Sequence, residues 1–331
     1  MYNFCTLFDS NYLSRGLAMY HSLIRHCPDA HLFVFAFDDL CYEVLKKLNL
    51  PKTTVISLPE FEDEELLKVK KDRTPVEYCW TCTPSVIKFC IENYSLDSCT
   101  YLDADLYFWS DPRILIEEMG NKSVLITPHR YTPKYDQTKR SGKYCVQFMT
   151  FKNDECGMHV LNWWRNACLD WCYARVEDGK FGDQKYLDDW LERFNCVHEL
   201  RHLGGGVAPW NVQQYSFIYK EGKLIGTELA SGVNFELIFY HFHYVRFYYV
   251  PFYLNKKVDL GPYELNKEII NLIYKPYLRE LKRMEELVKN LGYKIDPYGR
   301  IKITWKTLLK LLARKILGHY NIYNMEELLV Q

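Results

Sequence analysis

At 331 residues, with 48% hydrophobic and 25% charged side chains, the chain has the composition of an ordinary globular protein with material for a sizeable core, and it is long for one domain. Lys plus Arg and Asp plus Glu number 42 each, so bulk charge gives no basis for nucleic-acid binding, and any basic surface must be local. No apolar run reaches the roughly 18 to 20 residues that span a bilayer.

The opening MYNFCTLFD has neither a basic n-region nor an apolar h-region, and the chain holds twelve cysteines. The expectation is a cytoplasmic protein, soluble or peripheral at the inner face of the membrane, whose cysteines are mostly small buried hydrophobes. Cys79 and Cys82, and Cys168 and Cys172, have spacings that raise zinc. The first pair precedes a Thr-Pro helix start and the second lies in a Trp-rich helical pattern, neither being the tight Gly turn of a zinc ribbon. Aromatic residues make up 16%; rings stack on bases and sugars, but most belong in the core.

Asn3 to Phe8 reads as a buried strand ending at Asp9-Ser10-Asn11-Tyr12, and Leu13 to His26 carries apolar residues at helical spacing. His31 to Phe37 is a second strand, Cys41 to Leu48 a helix stopped by Pro51, and Thr53 to Leu58 a third strand. This β-α-β-α-β order predicts an α/β, Rossmann-like fold with a mostly parallel sheet flanked by helices, whose ligands collect beyond the carboxyl ends of the strands. Glu60 to Arg73 reads as a solvated, mobile helix. Thr83-Pro84 reads as the start of a buried helix through Tyr94, with Lys88 either pairing with Glu92 or reaching a phosphate.

The most informative stretch is CTYLDADLYFWSDP, Cys99 to Pro112. If Cys99 to Leu102 is a strand, Asp103 and Asp105 share a face and project from its C-terminal end. Two carboxylates so placed need a cation, and hard oxygen ligands suit Mg²⁺ or Mn²⁺, which complete their shells with water and substrate phosphates.

Ser123 to Thr127 and Tyr144 to Phe151 read as further strands, and the polar loop His129 to Lys143 between them as a lid. Asp154 to Tyr173 is an amphipathic helix, after which Gly182 precedes Asp183-Gln184 at the mouth of another. Gly204-Gly205-Gly206 lacks the Gly-Lys-Ser/Thr of a phosphate loop. Phe235 to Arg246 reads as one strand with His241 and His243 on a common face. From about residue 255 the character changes: Tyr263 to Leu291 gives charged helices broken at Pro276, and Thr304 to Leu317 a basic amphipathic helix suited either to packing on the domain or to an anionic membrane surface.

Four pieces, FDSNYLSRGLAMYHSL, YLDADLYFWSDP, GDQKYLDDW and YHFHYVR, occur in the order found in nucleotide-sugar glycosyltransferases of the GT-A fold, and residues 1 to about 250 resemble that family in the neighbourhood of glycogenin and the bacterial lipopolysaccharide galactosyltransferases. The resemblance implies a GT-A domain over residues 1–255 with a helical extension over 256–331. It implies donor binding by Asp9 and Tyr12, beside Phe8; Lys88 and Arg246 are read from their own positions as cations for the donor phosphates. Metal ligation falls to Asp103, Asp105 and His241, with His243 second, and the transferred sugar and acceptor lie near Asp183 and Gln184. The implied cofactors are Mn²⁺ or Mg²⁺ and a UDP-sugar, and the implied acceptor is a glycan, lipid-linked or protein hydroxyl, with possible membrane contact through residues 304–319. The chain departs from the family in lacking Asn-Ala-Gly before Val146 to Phe151 and in carrying Tyr244 and Arg246 where Gly and Lys follow the late His. Alternatives are a haloacid-dehalogenase-type phosphatase, which would want Thr where Tyr107 stands, and a non-catalytic carbohydrate-binding scaffold.

Overall fold

Asn3 to Phe8 lies within a strand at the middle of the main sheet in the computed structural model, which describes residues 1–249 and 257–330 apart from 294, 295, 297, 303, 317, 319 and 320. The strands are β1 (Tyr2–Phe8), β2 (Ala30–Ala36), β3 (Thr53–Ser57), β4 (Ser98–Leu102), β5 (Leu106–Phe108), β6 (Val124–Pro128), β7 (Tyr144–Lys152) and β8 (Val197–Glu199). Seven form one sheet in the order β3-β2-β1-β4-β7-β6-β8. The first four run parallel, as the βαβαβ pattern requires. β7 is antiparallel to both β4 and β6, because β6 and β7 follow one another without a long helical crossover and so reverse direction.

Helix α1 (Leu13–His26) buries Leu13, Leu17, Tyr20 and Leu23, a stripe at three- and four-residue spacing that packs on one face of the sheet with α2 (Asp39–Leu48). The other face is covered by α3 (Pro75–Asn93) and α4 (Glu155–Asp170). Helix α3 starts nine residues before the expected Thr83-Pro84. Thr74 and Glu77 form a complete capping box with Pro75 in the first turn, while Pro84 sits inside the helix and Thr83 donates back to the Cys79 carbonyl. The charged stretch after β3 is two short helices, Leu58–Phe61 and Glu64–Lys70, the second held by ion pairs from buried Arg165 to Asp63 and Glu65.

Strands β9 (Tyr215–Lys220), β10 (Lys223–Glu228) and β11 (Asn234–Glu236) form an antiparallel meander, and β12 (Phe239–His241) pairs with β5. The expected single strand from Phe235 to Arg246 is therefore three pieces, since β13 (Arg246–Tyr249) begins only after a turn in which Tyr244 has φ +77°. β13 joins β14 (Lys257–Asp259), β15 (Ile301–Lys302) and β16 (Ile322–Asn324) in a second sheet.

Pro276 does not break its helix. A π turn over Ile270–Tyr274 runs directly into α5 (Lys275–Asn290), the local adjustment expected where proline removes an N–H. Helix α5 packs on α1, and Tyr274, Tyr277 and Leu281 share a core with Leu13 and Leu17. The expected boundary at 255/256 falls outside the described residues; the segments that follow are built into the first core. The last long helix is α6 (Trp305–Ile316). Cys156 and Cys196 are joined by a disulfide, a covalent link that the reading of the cysteines as free hydrophobes did not include.

Candidate active site

Asp103 and Asp105 lie in a tight turn between β4 and β5, the Asp103 carbonyl accepting the Leu106 N–H at 3.2 Å. The turn, and not the pleat of a continuing strand, sends both carboxylates to one place. The Gln147 carbonyl accepts the Asp103 N–H at 3.0 Å, and the Tyr101 hydroxyl donates to Asp103 Oδ1 at 3.0 Å.

The register of β12 on β5 brings the late histidine here. His241 pairs with Leu106, the Asp105 carbonyl accepts the Phe242 N–H at 2.9 Å, and His241 Nε2 stands 3.1 Å from Asp105 Oδ1 and 3.6 Å from Asp103 Oδ2. The triple glycine permits this approach: a Cβ on Gly204 would fall 1.9 Å from the Glu236 carbonyl oxygen, so only glycine lets the loop lie against the β11–β12 connection. Trp210 at the end of that loop sets its ring 5.4 Å from His241 and 5.5 Å from His243. His243 lies in the turn after β12, exposed within the same cleft, and is not among the groups within ion-pair distance of the carboxylates.

The charges are tightly interdependent. Burial pushes the Asp103 carboxyl up to about 6, the charge of Asp105 adding to this and that of His241 opposing it. Burial also raises Asp105, but the charge and hydrogen bond of His241, with help from His243 and Arg15, outweigh it and hold Asp105 at about 2. Burial disfavours the His241 imidazolium, yet Asp105, Cys145 and Asp103 lift its pKa well above the usual range. A proton on His241 thus occupies the place of positive charge between the two carboxylates.

Asp183 faces the same cluster from the segment after α4. It is buried, and its pKa is pushed up to about 7 by burial and by the charge of Asp103. Gly182 makes the turn into it with φ +54°, in a space where a Cβ would meet the Trp80 ring at 3.3 Å. Gln184 donates to the Ser141 carbonyl at 2.7 Å. With Lys185 on the Thr138 carbonyl and Asp188 accepting the Lys143 N–H, this bond docks the 129–143 loop on the Asp183 segment. The loop holds two short helical turns, Pro133–Tyr135 and Thr138–Ser141, and its base is closed by His129 and Lys143.

At the end of β1, Asp9 caps a 3₁₀ turn by accepting from the N–H and the side-chain amide of Asn11, each at 3.0 Å, and Tyr12 exposes 42% of its surface. Arg15 was not singled out by its sequence context. It is 4% exposed, its guanidinium 4.4 Å from the Tyr12 ring centre, and it donates to the carbonyls of Val245 and Tyr298, each at 3.0 Å. It joins the first turn to the segment after His243 and to the C-terminal region.

Two residues expected at the donor have other neighbours in this structure. Phe8 is buried with its ring against Gly16, because the strand's alternation turns it into the core. Lys88 pairs with Glu92 one turn along α3. Arg246 starts β13 and places its guanidinium 4.2 Å from the Tyr244 ring centre, close enough to Tyr12 and His243 for its charge to act on both.

The chemistry of the donor set fits a divalent cation. One ligand atom each from Asp103, Cys145 and His241 lies within 4.8 Å of the others, with Asp105 3.1 Å from His241. The His241 Nδ1 is buried without a well-formed hydrogen bond, although the Cys145 thiol is close enough to the ring to favour its protonation. Among the described residues, neither Cys79/Cys82 nor Cys168/Cys172 belongs to a group of potential metal ligands.

No family model matches the chain. Two proteins of Bacillus subtilis (strain 168) are similar to it: the uncharacterized protein YfnD, 32% identical over 288 residues covering 85% of this chain and 89% of YfnD, and the uncharacterized protein YfnF, 34% identical over 247 residues covering 72% and 80%. Among solved structures, the galactosyltransferase LgtC in complex with donor and acceptor sugar analogues matches with a TM-score of 0.51 at 12% identity, over 89% of this chain and 98% of LgtC. That likeness, with the parallel β3-β2-β1-β4 sheet and the Asp-turn at its edge, establishes the fold. The chain belongs to the family of YfnD and YfnF, and its fold is the GT-A fold of glycosyltransferases.

Proposed function

We propose that the protein is a metal-dependent glycosyltransferase that moves a sugar, a hexosyl group from a UDP-sugar, to a hydroxyl of a glycan, lipid-linked or protein acceptor in cell-surface polysaccharide synthesis. The observation that carries this reading is the convergence of Asp103, Asp105 and His241 at the carboxyl edge of the sheet, within electrostatic reach of Tyr12 and of Asp183. A bound Mn²⁺ or Mg²⁺ supplies neutralisation of the diphosphate charge as the leaving group departs. The chain's residues do the rest. Asp103, Asp105 and His241 hold the ion, while Tyr12 and Asp9 hold the base and ribose. Arg246 and Arg15 add fixed positive charge beside the cleft. Asp183, poised near neutrality, receives or positions the acceptor's proton, and Gln184 keeps the 129–143 loop against it.

A thermal-shift series tests this reading. With Mn²⁺ present, a UDP-sugar at one hundred times its Kd is expected to stabilise the protein by about 2.7 kcal/mol. The reading fails if no nucleotide sugar moves the melting temperature with or without metal.

The membrane contact proposed for residues 304–319 has specific support in α6. Thr307, Leu311 and Arg314 face inward, Arg314 making a bidentate pair with fully buried Asp259. This turns Trp305, Leu308, Leu309, Leu312 and Ile316 outward, each more than half exposed. Lys306, Lys310 and Lys315 flank that apolar face and the helix carries no acid, which suits an anionic lipid surface. Vesicles containing phosphatidylglycerol are expected to co-sediment the protein and phosphatidylcholine vesicles not. Leu308→Ser with Leu312→Ser should abolish the binding; dimerisation through the same residues, or equal binding by that variant, would refute a lipid-facing role.

A further inference from the structure

The cluster of potential ligands at the cleft contains a sulfur that the transfer reaction does not call for. Cys145 is the second residue of β7 and is 5% exposed. Its position follows from register. β7 runs antiparallel to β4, Leu102 lies opposite Phe148, and the Gln147 carbonyl takes the Asp103 N–H. Two residues beyond Gln147, on the same face of the strand, Cys145 is carried past the end of β4 to the point where the chain turns at Asp103. It packs in one small apolar cluster with Ala208, Trp210 and Tyr263. The result is one carboxylate oxygen, one imidazole nitrogen and one sulfur within 4.8 Å of each other.

We infer that Cys145 is itself a ligand of the bound cation, so that the site holds Zn²⁺ or Co²⁺ through a thiolate and prefers them to Mg²⁺. The inference rests on the metal-dependent reading above and puts Zn²⁺ or Co²⁺ in the place that reading gave to Mn²⁺ or Mg²⁺. Thiolates select borderline ions such as Zn²⁺, whereas an all-oxygen shell with water suits Mg²⁺. On binding, a metal–sulfur bond forms and the thiol proton passes to solvent, so the ion gains a thiolate ligand in addition to Asp103, Asp105 and His241. The alternative role, in which Cys145 merely orients the His241 ring, leaves the ion without sulfur and is distinguishable by spectroscopy.

The test is a Co²⁺ titration of the full-length protein followed in the ultraviolet and visible. Wild-type protein is expected to give cobalt d–d bands together with a near-ultraviolet sulfur-to-cobalt charge-transfer band. Cys145→Ser should keep d–d bands, lose the charge-transfer band and bind Zn²⁺ roughly tenfold or more weakly. Asp103→Asn should lose both sets. X-ray absorption at the zinc edge of the wild-type protein, which requires no variant to fold, should show one sulfur at about 2.3 Å. d–d bands without charge transfer, or a zinc shell without sulfur, would overturn the assignment of Cys145 while leaving the carboxylate–histidine site standing. A charge-transfer band that survives Cys145→Ser would place the thiolate elsewhere, the buried Cys5, Cys90 and Cys99 group being the next to test, and would equally reject the inference. No Co²⁺ binding at all would remove both readings.

Discussion

Asp105→Asn is expected to reduce sugar transfer by roughly 10²–10³-fold or more while leaving the protein folded. Two effects act together. In the proposed function the carboxylate is one of the groups that hold the cation, and its loss would remove a full negative charge from that shell. Its ion pair with His241 Nε2 also fixes the imidazole that completes the set. Stability should change little, for a reason visible in the geometry. Removing one partner of a buried ion pair ordinarily costs about 3–5 kcal/mol. Here Asp103 Oδ2 lies 3.6 Å from the same nitrogen and can take over the pairing. The measurement is calorimetric metal binding and turnover of a UDP-sugar, beside thermal unfolding of the apo-protein. Activity equal to wild type in the variant, or full wild-type activity in the presence of a chelator, would end the metal hypothesis.

Part of this was legible in the sequence. The parallel half of the sheet and α1 were, because β1, β2 and β3 are short apolar runs separated by turn residues and α1 carries an apolar stripe of regular period. Asp103 and Asp105 were found by their position after such a run, although the physical reason is a turn and not strand alternation. The start of α3 was misplaced because two Thr-Pro pairs compete there, and the decisive signal was the Glu three residues after Thr74. The ion pair of Lys88 with Glu92 was legible, because a partner one helical turn away needs no tertiary coincidence.

Other parts could not be read, because they depend on long-range register. Nothing near His241 in the chain says that it will lie opposite Leu106, or that Cys145 will pass the end of β4. Gly204 is explained only once the β11–β12 connection is seen against it, and the inward stripe of α6 only once Arg314 is seen on Asp259. The amphipathic pattern of that helix was legible; the direction in which its apolar face points was not.

Arg15 is the clearest instance of a residue whose weight is tertiary, and Arg15→Ala is expected to cost about 3–5 kcal/mol of stability together with donor binding. The guanidinium is almost wholly enclosed and donates to main-chain carbonyls of three separate segments, Asn11 at 3.3 Å and Val245 and Tyr298 at 3.0 Å. Its Cζ stands over the rings of Tyr12 and Phe247, 4.4 and 5.3 Å from their centroids. Alanine would leave these carbonyls without their donor and open a cavity between the rings, two costs that add. Arg15→Lys separates them, since lysine fills much of the space but presents a point charge in place of a planar fork and cannot serve all three segments. It should recover part of the stability and little of the nucleotide-dependent thermal shift, because Tyr12 is oriented by the plane of the guanidinium and not by its charge alone. Urea unfolding measures the first quantity and the shift with UDP the second. If Arg15→Ala lies within about 1 kcal/mol of wild type, the first turn and the C-terminal segment are held together by their apolar core alone. If Arg15→Lys restores the nucleotide response in full, charge and not planar stacking is what Tyr12 requires.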